Sequence, residues 1–333
     1  MKAILMTALG DPDVLQLQQV PEPQISQPTE LLVRLVAAGV NPIDTKIRTR
    51  GTFYPDQMPA ILGCDGAGIV EAVGAAVTKF EKGDEVYFCQ GGLGKKGTGN
   101  YAEFAVVDER FIARKPANLS FSEAAAAPLV LITAWEALYD RARLQAGQKV
   151  LIHAGTGGVG HVAIQLAKLR GAEVCTTVSS PDKERLARQL GADLPILYRQ
   201  TDWVKAALDW TEGEGVDIAF DTVGGKTFFE SFPAVRVYGD IVSILEPDSN
   251  QGNFKVARSR NQRLSFELML TPMLHNLVSP LEYQASILEQ CATWMDEGKL
   301  TIHLAQTFPL EETAAAHRAL ELGSTTGKLA IEL

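Results

Sequence analysis

Apolar and polar positions fall into two textures along the chain. Up to about residue 125, short apolar runs at 31–37, 67–73, 84–88 and 101–107 are separated by turns bearing Gly and Pro. Short runs bounded in this way predict strands, here of a compact β domain. From Ser122 the pattern changes, and EAAAAPLVLITAWEALYDRA predicts helix on both sides of Pro128. Apolar runs then alternate with amphipathic stretches: VLIHA, a helix over 159–170, EVCTTV, a helix over 182–190, VDIAFD and DIVSIL. That alternation predicts an α/β fold, a doubly wound parallel sheet with helices on both faces. RLSFELML at 263–270 reads as one more strand, at the sheet edge, and after Pro272 come a helix over 281–296 and apolar runs at 304–308 and 328–333. A chain of 333 residues accommodates two domains. The nucleotide-type unit, 126–271, is inserted between two parts of the β domain, 1–125 and 272–333.

Between VLIHA and the following helix lie Gly155, Thr156, Gly157, Gly158, Val159 and Gly160, which satisfy GxGxxG. The spacing alone is weak, but a strand before it and a helix after it make it a dinucleotide fingerprint. Gly155 is expected to permit the tight turn, Gly157 to let a pyrophosphate approach the backbone, and Gly160 to let helix and strand pack closely. The helix start offers unpaired N–H groups to phosphate.

The end of the next strand selects the cofactor. An NAD site commonly places an acid there, about 20 residues on, to accept from the ribose 2′-hydroxyl. Here the strand ends Thr176-Thr177-Val178-Ser179-Ser180, with Lys183 in the first turn of the helix that follows. Ser179, Ser180 and Lys183 suit a 2′-phosphate, and Tyr198-Arg199 at the next strand end could flank adenine and phosphate. Asp182 follows Pro181 and reads as a residue matched to the helix dipole. Ser180 reads equally well as an N-cap. NADPH is the expected cofactor.

Composition changes the picture little. Apolar content of 46% with 21% charged residues describes an ordinary globular chain, and a net charge of -9 argues against nucleic acid or an anionic membrane as partner. The four cysteines, Cys64, Cys89, Cys175 and Cys291, never form CxxC, which suits free thiols in a reducing compartment. With no signal-like start and no long apolar segment, a cytoplasmic location is expected. His153, His161, His275, His303 and His317 are scattered and read as surface or packing residues.

AGVNPID, ILGCDGAGIVEAVG, FEKGDEVY, HAGTGGVGHVAIQLAK and the closing TGKLAIEL together resemble the medium-chain dehydrogenase/reductase superfamily. The similarity is to its zinc-independent branch of NADPH:quinone oxidoreductases (zeta-crystallin-like) and 2-alkenal, or enone, reductases. The resemblance spans the whole chain and implies a GroES-like β-rich catalytic domain carrying a Rossmann domain. Zinc-dependent relatives place a cysteine ligand where this chain has Asn41, and a His-Glu pair where it has Cys64-Asp65. Cys64 alone leaves too few ligands for Zn²⁺, so no metal is expected. A simple ketone needs a Lewis acid or a positioned proton donor to carry charge on oxygen. A quinone or α,β-unsaturated carbonyl spreads the incoming charge through its own conjugation.

The resemblance also implies site residues. Asn41, Tyr54 and Thr133 match positions near nicotinamide and substrate, although Asn41-Pro42 is also ordinary turn chemistry, Tyr54 could be loop packing, and Thr133 an intrahelical hydroxyl. Cofactor contacts are implied at Thr156 to Val159, at Val223-Gly224, at Ile244-Leu245 and near Met269-Leu270, with Lys328 on the nicotinamide side. Ile244-Leu245-Glu246-Pro247 departs from the small, glycine-containing loop of relatives, and Asp221 reads as a structural acceptor. Pocket lining is expected from Tyr54, Leu131, Met269 and a 271–279 loop, and GGLGKKGTGN is expected to be a mobile loop. A homodimer through the apolar edge strand is expected. Two alternatives stand beside the reductase: a zinc alcohol dehydrogenase using Cys64, and a non-catalytic NADPH-binding, crystallin-like protein. Neither the natural acceptor nor one- versus two-electron reduction is readable.

Overall fold

The computed structural model describes residues 1–333, which divide into two units: Met1–Leu129 with Leu270–Leu333, and Val130–Met269. The second unit is built on six strands, Lys149–Ile152, Glu173–Val178, Leu194–Leu197, Val216–Asp221, Val235–Ser243 and Arg263–Phe266. Every neighbouring pair is parallel, and numbering the strands along the chain gives the spatial order 3-2-1-4-5-6. Strands covered on both faces need apolar residues at successive positions, and Val150, Leu151, Ile152, Ile218, Ala219 and Phe220 are all buried. This is the Rossmann arrangement. Strand order reverses between the first and fourth strands, so a crevice opens beyond their carboxyl ends.

Two expectations in this stretch are corrected. The last strand stops at Phe266, because the chain turns before a short helix at Thr271–Leu274. Pro272 sits at the start of that helix, where its missing N–H costs nothing. The long helix Val278–Asp296 follows, so the expected 271–279 loop is mostly helical.

The first unit carries a seven-stranded sheet. Its path runs Leu304–Pro309, Lys328–Glu332, Glu30–Val40, Asp65–Val73, Glu85–Cys89 and Ala113–Arg114, with Phe104–Asp108 pairing to Glu30–Val40. Leu31, Val33, Val70, Val86 and Phe88 pack its core. The C-terminal segment therefore completes the sheet begun at the other end of the chain. Antiparallel register sets Leu329 opposite Val40, which brings Lys328 next to Asn41. AGVNPID is more than a turn: Asn41 caps the helix Pro42–Arg50, with Pro42 at its first position. That helix buries Asp44, Thr45, Ile47 and Arg48, a mainly polar face, so no apolar stripe announced it. No helix is long and apolar enough to cross a membrane.

Candidate active site

In the second unit, the glycine turn follows the first strand. The turn has its positive φ at Ala154, 50°. Gly155 is needed for space: a Cβ there would lie 2.0 Å from Thr176 Oγ1. Gly160 is equally constrained, since its Cβ would meet Ala154 O at 2.2 Å, inside the turn itself. Gly157 differs, because a Cβ there meets nothing nearer than Ala154 O at 3.2 Å. The protein's own packing admits a methyl at 157 if Ala154 O gives by a few tenths of an ångström, a far weaker demand for glycine than at 155 or 160. Thr156 is buried, while Gly158 and Val159 are half-buried at the mouth of the helix Gly160–Leu169.

The next two strand ends gather the residues expected at a 2′-phosphate. Tyr198 N–H donates to Val178 O at 3.3 Å, joining the ends that carry Ser179-Ser180 and Tyr198-Arg199. Ser180 caps the helix Pro181–Gln189, its hydroxyl oxygen accepting from Lys183 N–H at 3.4 Å. The cap uses the oxygen as acceptor and leaves the hydroxyl hydrogen available to donate. Burial, then the nearby Arg199 guanidinium, lowers the pKa of the Lys183 ammonium. Arg199 also lies 6.0 Å from the centre of the Tyr198 ring.

At the strand-order reversal, Thr222 Oγ1 donates to His153 O at 2.7 Å, tying together the loops that follow the first and fourth strands. Asp221 is the structural acceptor expected: it receives Val223 N–H at 3.0 Å, Gly224 N–H at 2.8 Å and Ser243 O–H at 2.7 Å. Ile244 N–H donates to Asp221 O at 3.2 Å, and Leu245 packs where a Gly224 Cβ would be, 2.7 Å from its Cδ1. Val223, Gly224, Ile244 and Leu245 thus share one loop cluster. His153 is a satisfied packing residue, 3.2 Å from Thr177 Oγ1 and 3.0 Å from Ser231 Oγ, with burial lowering its pKa to about 4. Thr133 is buried in the helix Pro128–Trp135, and Met269 is buried just beyond the last strand.

The first unit holds a buried polar cluster that sequence reasoning only half assembled. Asn41 is 0% exposed and Lys328 3%. The Lys328 ammonium donates to Val40 O at 2.9 Å and to Asn41 Oδ1. Asn41 Nδ2 donates in turn to Asp65 Oδ2 at 2.8 Å, and Asp65 also accepts from Leu129 N–H at 2.9 Å. Asp44 Oδ2 accepts from Asn41 N–H at 2.8 Å and from the Tyr101 hydroxyl at 2.9 Å. Burial raises both carboxylates, Asp44 to about 7, while Lys328 pulls each down. His317 Nε2 lies 3.3 Å from the Tyr101 hydroxyl, and burial, then Arg48, lowers its pKa to about 3. Lys328, expected toward the nicotinamide, is placed with Asn41. Tyr54 is half-buried at the start of a short 3-10 turn, and Leu270 is buried ahead of the helix Thr271–Leu274. Asp44, Tyr101 and Arg48 were missed, and His317 was read only as a surface or packing residue; the only signal was Asp44, three residues after Asn41 in the quoted motif.

A six-stranded parallel sheet of the dinucleotide-binding kind, inserted in a β-rich unit with a buried polar cluster, defines a two-unit dinucleotide-binding architecture. Residues 27–117 match the alcohol dehydrogenase GroES-like domain, and residues 190–331 match the family described as zinc-binding dehydrogenase. A quinone oxidoreductase of Pseudomonas aeruginosa is 34% identical, with 98% of each chain covered. The 2-methylene-furan-3-one reductase of Solanum lycopersicum is 33% identical over 99% of this chain and 79% of its own. The structure of Escherichia coli quinone oxidoreductase complexed with NADPH matches with a TM-score of 0.86 at 28% identity, 100% of each chain being covered. The chain belongs to the medium-chain dehydrogenase/reductase superfamily, and is similar throughout its length to quinone oxidoreductases and enone reductases.

The zinc in one family description can be tested against the residues present. No three His, Cys, Asp or Glu side chains converge to hold a metal ion. The hydrogen bond with Cys89 pulls the Cys64 thiol down, yet burial and Asp44 leave it raised. Cys89 is raised well above the ordinary value, by its hydrogen bond with Cys64 and by burial, and zinc takes thiolates, not thiols. A buried ammonium in the same cluster repels a second cation. The donor set does not fit zinc. A dinucleotide, by contrast, fits the open backbone at Gly157 and the crevice beside it.

Proposed function

We propose that the chain is an NADPH-dependent reductase that passes hydride to quinones or α,β-unsaturated carbonyls without a bound metal. The observation that supports this most is the Asn41–Asp65–Lys328 cluster, in which the cation is a lysine and the donors suit no divalent ion. Such a site offers hydrogen bonds and fixed charge, enough for an acceptor whose conjugation spreads negative charge. The cofactor, when bound, supplies the hydride. Backbone from Gly155 to Gly160 holds the pyrophosphate, Ser179, Ser180, Lys183 and Arg199 hold the 2′-phosphate, and the Tyr198 ring flanks adenine. Val223, Gly224, Ile244, Leu245, Met269 and Leu270 line the remainder of the cofactor, and Thr133 orients the nicotinamide. Asn41 and Tyr54 orient the acceptor, Asn41 through the amide hydrogen that Asp65 does not take.

Chelated, purified protein is expected to oxidise NADPH with members of a quinone and enone panel, and NADH poorly. Turnover with no member of the panel sinks the reading, and turnover that requires added zinc overturns its metal-free part. Lys183→Glu is expected to raise the KM for NADPH roughly 10–100-fold, the scale of one lost charge-assisted contact turned to repulsion. The same change should leave the KM for NADH nearly unmoved.

The edge strand Arg263–Phe266 carries the dimer proposal. Phe266, the last residue of the strand, and Leu268, two residues beyond it, are 53% and 52% exposed, and an open edge flanked by apolar side chains invites pairing with a second copy. Light scattering is expected to give twice the chain mass, and Phe266→Lys with Leu268→Lys the monomer. A monomeric wild type removes this part of the proposal.

A further inference from the structure

Lys328 has almost no exposure, and the hydride reading above counts it as the cation of the cluster without giving its ammonium any action on the Asn41 amide. Its ammonium lies against two acceptors, Val40 O and Asn41 Oδ1; burial lowers its pKa, and Asp65, then Asp44, pull it back up. A buried lysine is retained as an ammonium only where carboxylates and acceptors compensate it. Asp65, itself wholly buried, is that compensation, and it is reached through the Asn41 amide: ammonium to Oδ1, then Nδ2 to Asp65 Oδ2. An ammonium donating to an amide oxygen draws electron density from the amide nitrogen, so its other N–H becomes a stronger donor. The contact also fixes which end of the Asn41 side chain faces which neighbour, since an ammonium can only donate.

We propose that Lys328 is the built-in cation of this site, a positioning residue that orients and polarises the Asn41 amide and occupies the room a divalent ion would need. The proposal rests on the reductase reading for the role of Asn41, but its metal-excluding half does not. Gly39 explains why the cluster closes so tightly: a Cβ there would meet Ala125 O at 2.3 Å and Asp65 Cβ at 2.9 Å. Strand pairing thus presses Asp65 against the strand that ends at Val40, just before Asn41, and Lys328 enters from the third strand.

The test compares wild type, Lys328→Met and the double variant Lys328→Met with Asp65→Asn. Lys328→Met is expected to lose on the order of 10²-fold in kcat, the scale of one lost electrostatic stabiliser, with the NADPH dissociation constant unchanged. It is also expected to lower Tm, because Asp65 is left buried without its cation. The double variant removes both charges, and should recover Tm while kcat stays low. Recovery of kcat together with Tm means that Lys328 is only a charge partner, and overturns the proposal. A weakened NADPH affinity at unchanged kcat makes Lys328 a cofactor ligand, and overturns it too. Wild type dialysed against Co²⁺ is expected to retain none and to show no thiolate-to-cobalt absorption. One tightly held ion per chain refutes the exclusion of metal. Should wild type reduce no acceptor at all, the reductase reading fails, and the cobalt experiment still decides whether Lys328 excludes a divalent cation.

Discussion

Gly157→Ala is expected to leave the fold standing and to weaken NADPH binding by roughly 10²–10³-fold. The three fingerprint glycines are constrained for different reasons. A methyl at 155 would lie 2.0 Å from Thr176 Oγ1 and one at 160 would lie 2.2 Å from Ala154 O, both impossible without displacing strand or helix. At 157 the nearest atom is 3.2 Å away, a contact relieved by a shift of a few tenths of an ångström. What the methyl obstructs is a pyrophosphate approaching the backbone. Losing two hydrogen bonds to a charged group removes about 3–6 kcal/mol net of exchange with water, and the lower part of that range applies where the contacts are lengthened rather than lost. About 3–4 kcal/mol net corresponds to the stated fold-change. Fluorescence titration with NADPH and a thermal melt on the same samples make the measurement. Gly157→Ala should melt within a few degrees of wild type, while Gly155→Ala and Gly160→Ala should melt far lower. Unchanged affinity in a folded Gly157→Ala protein removes the pyrophosphate from this turn.

The same contrast explains what the sequence made legible. Strands buried on both faces read as unbroken apolar runs, so VLIHA and VDIAFD stood out, and the glycine turn between strand and helix supplied the ligand class. Motifs from both ends of the chain gave the β-rich unit, and Asn41 and Cys64-Asp65 were noticed because residue types changed there. The buried cluster was far less visible. Lys328 follows a glycine and precedes an apolar run, which in one dimension reads as a surface charge before a strand. Its burial comes from pairing with a strand 287 residues away, and no local pattern encodes that. The helix Pro42–Arg50 escaped for a related reason: its inward face is Asp44, Thr45, Ile47 and Arg48, and apolar periodicity detects only faces that meet an apolar core. The hairpin of Lys2–Met6 with Leu15–Gln19 was missed because one strand reads LQLQQ and is mostly exposed.

Asp44→Asn is expected to change how stability depends on pH. Burial raises the Asp44 carboxyl from 3.8 to about 7, against hydrogen bonds from Asn41 N–H and Tyr101 O–H that pull it down; Asp65 adds to the rise and Lys328 opposes it. Below about pH 4 the group is protonated in folded and unfolded chain alike, so it contributes no difference. Between about pH 4 and 7 the unfolded chain releases the proton and the folded chain keeps it. Stability is therefore lost as pH rises through that window, at most about 1.4 kcal/mol per pH unit, or a few kcal/mol in all. Above about pH 7 the loss is complete and constant. Asparagine keeps an acceptor for Asn41 N–H and Tyr101 O–H but cannot titrate, so the variant should gain on wild type from pH 4 to 7 and run parallel beyond. Burial lowers His153 to about 4 and His317 to about 3, and their contributions have the opposite sign, being lost as pH falls. Both are common to the two proteins and cancel in the difference. Urea midpoints for wild type and variant at pH 4, 5.5 and 7.5 make the comparison. A difference independent of pH means that Asp44 is ionised throughout, and that the cluster holds a full negative charge beside Tyr101.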